Sequence, residues 1–154
     1  MKRLDPAGSL CGNAARIVLV RLEELRSFIP AALDPGASEA QHDMRIAAKR
    51  LRYVLELTEL CFGERGAAAR HGARDLQGVL GDLHDCEVML PMAEGQPNLE
   101  ILVTHLVARR RLVFDRFGEL WAQQRRSGVW EELEAAAREL APGGASLEEK
   151  GGRA

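Results

Sequence analysis

Between His42 and Tyr53 the chain sorts its cations and its apolar side chains onto opposite sides of a helix. At about 100° per residue, His42, Arg45, Lys49 and Arg52 fall within an arc of roughly 80°. Met44, Ala47, Ala48, Leu51, Val54 and Leu55 fill the other side. One face is therefore built to dock on a core, while the other carries a file of protonatable groups one turn apart. Arg50 lies off the file, and Glu56 continues it with a carboxylate one turn beyond Arg52. Helix packing does not require such a file, since like charges one turn apart destabilise by a few tenths of a kcal/mol each. A polyanion lying along the helix would reverse that cost.

The rest of the chain reads as further helices. Helix one is expected from about Ser9 to Ile29, stopped by Pro30 and the Asp34-Pro35-Gly36 turn. Ser38 and Gln41 have capping-box spacing for helix two, which runs to about Phe62 with Gly63 at the C′ position. Helix three follows from about Arg65 to Leu90. Pro91 and Pro97 bracket a loop in which Asn98 is a candidate cap. Helix four, about Leu99 to Arg126, is expected to turn Leu102, Val103, Leu106, Val113, Phe117, Leu120 and Trp121 inward. A shorter fifth helix spans about Val129 to Leu140. Long helices on short loops imply an all-α, up-down antiparallel bundle of about four long helices plus a short C-terminal one. The domain is expected over 9–141, after an N-terminal lead at 1–8 and before a flexible Gly-rich tail at 142–154.

The 154 residues suit one domain whose core needs no metal or disulfide. A net charge of −2 argues against a general nucleic-acid binder, and no specific nucleic-acid partner is expected. Charge is unevenly placed, however: 42–53 holds four Lys or Arg against one acid, and 105–116 holds Arg109, Arg110, Arg111 and Arg116 against Asp115. Arginine grips phosphate bidentately and keeps its charge, although a base-composition bias explains the overall arginine count equally well. Cys11, Cys61 and Cys86 show no C-x-x-C spacing and are read as reduced thiols of a cytoplasmic protein. No signal peptide or membrane span is expected.

The run H-x-x-R-x-x-x-K-R-L-R-Y-x-x-E from His42, followed by Leu-Gln-Gly-Val-Leu-Gly-Asp-Leu-His-Asp at 76–85, resembles the CHAD family, the conserved histidine α-helical domains. The resemblance implies an all-helical module that binds inorganic polyphosphate, without catalysis or cofactor. Family members carry two helical repeats around a basic pore. This chain has room for one, which looks like the second of the pair. A homodimer is therefore expected, or else an open groove. Carried onto this sequence, the polyphosphate-binding set is His42, Arg45, Lys49, Arg50, Arg52, Arg74, Arg109 and Arg110, with Asp85 a candidate partner for a pore arginine. By the same resemblance, such a module can be targeted to polyphosphate bodies.

Other chemistry is less well served. His42 and His84 lack metal-ligand spacing, and Arg45 and Lys49 would repel a cation, so no metal is expected. His42 could instead simply hold the preceding loop, and Arg110 could be a paired arginine at a bundle edge. A histidine phosphotransfer bundle and a ligand-free oligomerisation scaffold remain as competing functions. No Walker loop, nucleophile elbow or dinucleotide fingerprint is present.

Overall fold

The computed structural model describes residues 4–141, so most of the expected lead is included and the tail at 142–154 lies outside the described residues. Five α-helices carry the fold: α1 Leu10–Ser27, α2 Ser38–Leu57, α3 Glu59–Ala93, α4 Glu100–Ser127 and α5 Val129–Leu140. A short 3₁₀ turn at Ala31–Leu33 joins the first two. Among the described residues there is no strand, and the arrangement is the expected helical bundle.

α3 is the central helix and packs on α2, α4 and α5, while α1 closes the far side against α2 and α5. Between these four lies the core: Val18, Leu22 and Leu25 of α1, Met44, Leu51 and Leu55 of α2, Leu76, Leu80 and Leu83 of α3, Trp130 and Leu133 of α5. Each of these side chains contributes about 1.5–3 kcal/mol through removal from water. Gly72 permits a close approach in this core, because a Cβ there would stand 3.3 Å from Cη2 of Trp130.

α4 is the outlier. It leans almost wholly on α3, and buries Leu106, Val113, Phe117, Trp121 and Gln124. The expectation that Leu102, Val103 and Leu120 also turn inward is corrected: Leu102 is exposed and the other two only half-buried. A helix with one main neighbour can bury only a narrow stripe, whatever apolar residues it carries.

Helix ends follow local chemistry in some places and tertiary demand in others. The Ser9 hydroxyl accepts the Gly12 N–H and starts α1. The expected Ser38 capping box does not form: Ala37 is the N-cap and makes no side-chain bond. Gln41 is instead buried, and its amide donates to the carbonyls of Ala32 and Asp34, tying the loop before α2 to the helix. α2 ends at Leu57, earlier than expected. The reversal at Gly63 (φ 55°, ψ −139°) follows a further turn of chain, in a conformation that only glycine adopts freely. α3 continues through Pro91 to Ala93, beyond the expected stop; the proline forfeits its own N–H bond, but the Glu94 N–H still reaches the Leu90 carbonyl beyond it. Asn98 has positive φ and does not cap α4.

The cysteine reading is corrected too. Cys11 and Cys61 form a disulfide, with Cα atoms 5.2 Å apart, and only Cys86 is a free, buried thiol. Antiparallel packing of α1 on α2 brings the first turn of α1 to the chain just past the end of α2. That proximity spans 50 residues and leaves no trace in local spacing. The argument from cysteine usage for a reducing compartment goes with it. No described helix is long and apolar enough to cross a membrane.

Candidate functional site

The core-facing side of α2 is fully committed: Met44, Ala47, Ala48, Leu51 and Leu55 are buried. His42, Arg45, Lys49 and Arg52 are thereby held half-exposed along one side of the helix. At the start of the file the His42 ring lies 4.9 Å from that of His84 on α3. Because the two helices run antiparallel, each turn forward from His42 matches a turn back from His84. Arg45 thus stands at the level of Gly81, Lys49 at that of Gln77, and Arg52 at that of Arg74.

The seam is short of partners. Nδ1 of His42, Nε of Arg45, Nε of Arg52 and, from α3, Oε1 of Gln77 are buried without a hydrogen bond. Among the described residues Arg45 and Lys49 have no ion pair, whereas Arg52 has only Glu56, at 3.7 Å. The lower end is braced by an aromatic ring: the Arg52 guanidinium lies 4.8 Å, and the Lys49 ammonium 5.7 Å, from the Tyr53 ring centroid. Such exposed cation–π contacts contribute about 0.5–1 kcal/mol each and keep both cations on one side.

The remaining residues of the expected set stand elsewhere. Arg50 points to α1 and donates to Glu24 at 2.7 Å, while the other oxygen of that carboxylate accepts from Arg21. Partial burial pushes the Glu24 carboxyl up, but the bonds from Arg21 and Arg50 together hold it below its ordinary range. Arg110 donates to Glu87 at 2.8 Å and to the Pro35 carbonyl at 2.6 Å, riveting α4 to α3 and to the loop before α2. The carboxylate at Arg110 is Glu87, two residues beyond the candidate Asp85. Arg74 lines a groove of about 510 Å³ between α3 and α4 together with Asp75, Asp82, Arg116 and Glu119, where acids outnumber bases. Arg109 is exposed on α4.

His42 and His84 are the only histidines in mutual contact among the described residues, and no group of three or more His, Cys, Asp or Glu converges there. The chemistry on offer is donation by a row of cations from one helix, with histidine and amide groups facing them from the next.

A family model for the CHAD domain matches residues 5–94, more than half of the chain. The chain belongs to the CHAD family. The match takes in α1, α2 and α3, hence both sides of the seam, and leaves α4 and α5 outside. CHAD domains are linked to polyphosphate binding in general, and act as binding modules rather than catalysts. No curated protein and no solved structure matches this chain.

Three features of this CHAD domain are not read from the sequence: the Tyr53 brace, the tie from Arg50 to Glu24 and the choice of Glu87 as the partner of Arg110, whose pairing at a bundle edge was one of its two expected states. The first was available, as Lys49 and Tyr53 are one turn apart. The other two join different helices and need the packing.

Proposed function

We propose that this CHAD domain is a non-catalytic module that binds inorganic polyphosphate along α2, through His42, Arg45, Lys49 and Arg52. The observation carrying this reading is how few hydrogen-bonding and acidic partners the file has. Buried nitrogens of His42, Arg45 and Arg52 lack hydrogen-bond partners, and no acid pairs with Arg45 or Lys49 among the described residues. A buried donor without a partner destabilises by about 1–3 kcal/mol, which a phosphoryl oxygen would recover. A chain with negative charge on every phosphate matches cations one helical turn apart. Arg74, in the acid-rich groove, and Arg109, on α4, stand apart from the file, whereas Arg50 and Arg110 join the ligand only by exchanging a carboxylate for a phosphate.

A homodimer belongs to the same reading. Val88, Met89 and Met92 on α3 and Ile101 and Leu112 on α4 are exposed and provide apolar surface for a second copy. So does an address at polyphosphate bodies. The phosphotransfer alternative is less well supported, because a half-buried His42 packed on His84 presents a poor phosphoacceptor.

The test is competition at about 0.15 M salt, where loosely organised surface charge is largely screened. Polyphosphate of tens of units should displace single-stranded DNA of equal charge, and pyrophosphate should compete poorly. Equal competition by DNA would reduce the site to a general polyanion patch, whose affinity falls with salt in the same way for both polymers.

A further inference from the structure

Glycine inside a helix weakens it, and a packed neighbour usually explains its presence. Gly66 and Gly72 have such neighbours: a Cβ would strike Phe62 at one and crowd Trp130 at the other. Gly81 has none. It is only partly exposed, yet a Cβ there would meet nothing within 4 Å. It therefore sits in an open recess of the α3 surface, at the level of Arg45. One turn to either side stand Gln77, whose Oε1 is buried and unpartnered, and His84, which touches His42.

We infer that the ligand is held in a trough between α2 and α3, with Gly81 as its floor and Gln77 and His84 as binding groups on the wall opposite the cations. This rests on the polyphosphate reading and deepens it, because it names what sets specificity. A bare phosphoryl chain carries nothing but oxygen outside its phosphorus atoms, and can settle against exposed helix backbone. Each phosphate of a nucleic acid is flanked by sugars, which a bare phosphoryl chain does not have to seat against the helix. Gln77 can turn its amide so that the nitrogen donates to a phosphoryl oxygen, and the imidazole of His84 can donate beside that of His42.

Gly78 supplies the control. A Cβ there also meets nothing within 4 Å, but Gly78 faces the acid-rich groove against α4. Alanine at either position should raise the thermal midpoint, since helix propensity improves and nothing is displaced. Gly81→Ala should nevertheless weaken polyphosphate binding threefold or more, and Gly81→Leu at least tenfold, while Gly78→Ala and Gly78→Leu stay within twofold of wild type. Gln77→Ala and His84→Ala should each weaken binding about fivefold and narrow the preference over single-stranded DNA. Titration of the full chain with polyphosphate of tens of units, beside circular dichroism, reads all six variants.

If wild type binds polyphosphate and Arg45→Glu abolishes it, but the Gly81, Gln77 and His84 variants bind normally, the trough is wrong and the file stands. If Gly78 variants lose binding as Gly81 variants do, the effect belongs to α3 as a whole and the inference also fails. Should wild type not bind polyphosphate at all, the functional reading falls and takes the trough with it.

Discussion

The ring of His42, at the start of α2, lies 4.9 Å from the ring of His84, late in α3. This contact marks how the two helices are aligned along their length. It makes the file of cations one side of a seam rather than an isolated stripe, and it puts specific α3 residues opposite each cation.

Charge reversal on the file should separate binding from folding. Arg45→Glu or Lys49→Glu should lose about 1.5–3 kcal/mol of polyphosphate affinity, the scale of one charge-assisted contact. Helical content and unfolding midpoint should barely move, because neither residue has an ion pair to break among the described residues. Calorimetric titration reporting wild-type affinity in either variant would remove the file as the site.

The disulfide should matter to stability more than to affinity. Cys11 and Cys61 close a loop of 50 residues. In the chain-entropy account, a cross-link over a loop of that size constrains the unfolded state by about 4 kcal/mol. Reduction, or Cys61→Ser, should lower the urea midpoint accordingly. Polyphosphate affinity should change less than twofold under conditions where the reduced chain is still folded.

Two carboxylates give the chain a definite acid sensitivity. Bonds from Arg21 and Arg50 hold Glu24 below its ordinary value of 4.5, against partial burial, and bonds from Arg26 and Arg138 do the same for Glu134. A group whose folded value is depressed stabilises fully above its unfolded value, and loses that contribution as pH falls through the folded one. Stability should therefore be flat above about pH 5 on this account and decline below about pH 4.5. Glu24→Gln and Glu134→Gln should each flatten the decline when urea midpoints are compared across that range.

Assembly can be read by sedimentation. On the proposed reading, the exposed Met89, Met92, Ile101 and Leu112 predict a dimer at micromolar protein, either intrinsic or promoted by polyphosphate. A monomer with and without long-chain polyphosphate would defeat pairing and leave an open groove as the form of the site.

Much of this was legible because it is periodic. The limits of α5 and the two faces of α2 follow from the local sequence alone, since one turn of helix is a local property. What escaped was set by other parts of the chain. Gln41 gave up a cap for the carbonyls of Ala32 and Asp34, and α2 ended before the turn at Gly63. Cys11 found Cys61 across the antiparallel pair, and Leu102 stayed exposed because α4 has little besides α3 to lean on. The cationic file could be read from sequence, and so could a paired Arg110; that Glu24 takes Arg50 and Glu87 takes Arg110 could not, because partner choice depends on which helices are neighbours.

The one-sided seating of α4 has a consequence for how the molecule opens. A helix held along a single stripe has little tertiary support against local unfolding, which proceeds in cooperative units far cheaper than the global transition. From Glu100 to Leu112 that support is chiefly Leu106 and the Arg110 rivet to Glu87 and Pro35. Amide hydrogens there should exchange well before those of α2 and the centre of α3, and Arg110→Ala should carry the fast zone further toward Val113. The two helices that form the trough would keep their protection throughout, so the α4 end can fray or rearrange against a neighbour without disturbing the cations of α2.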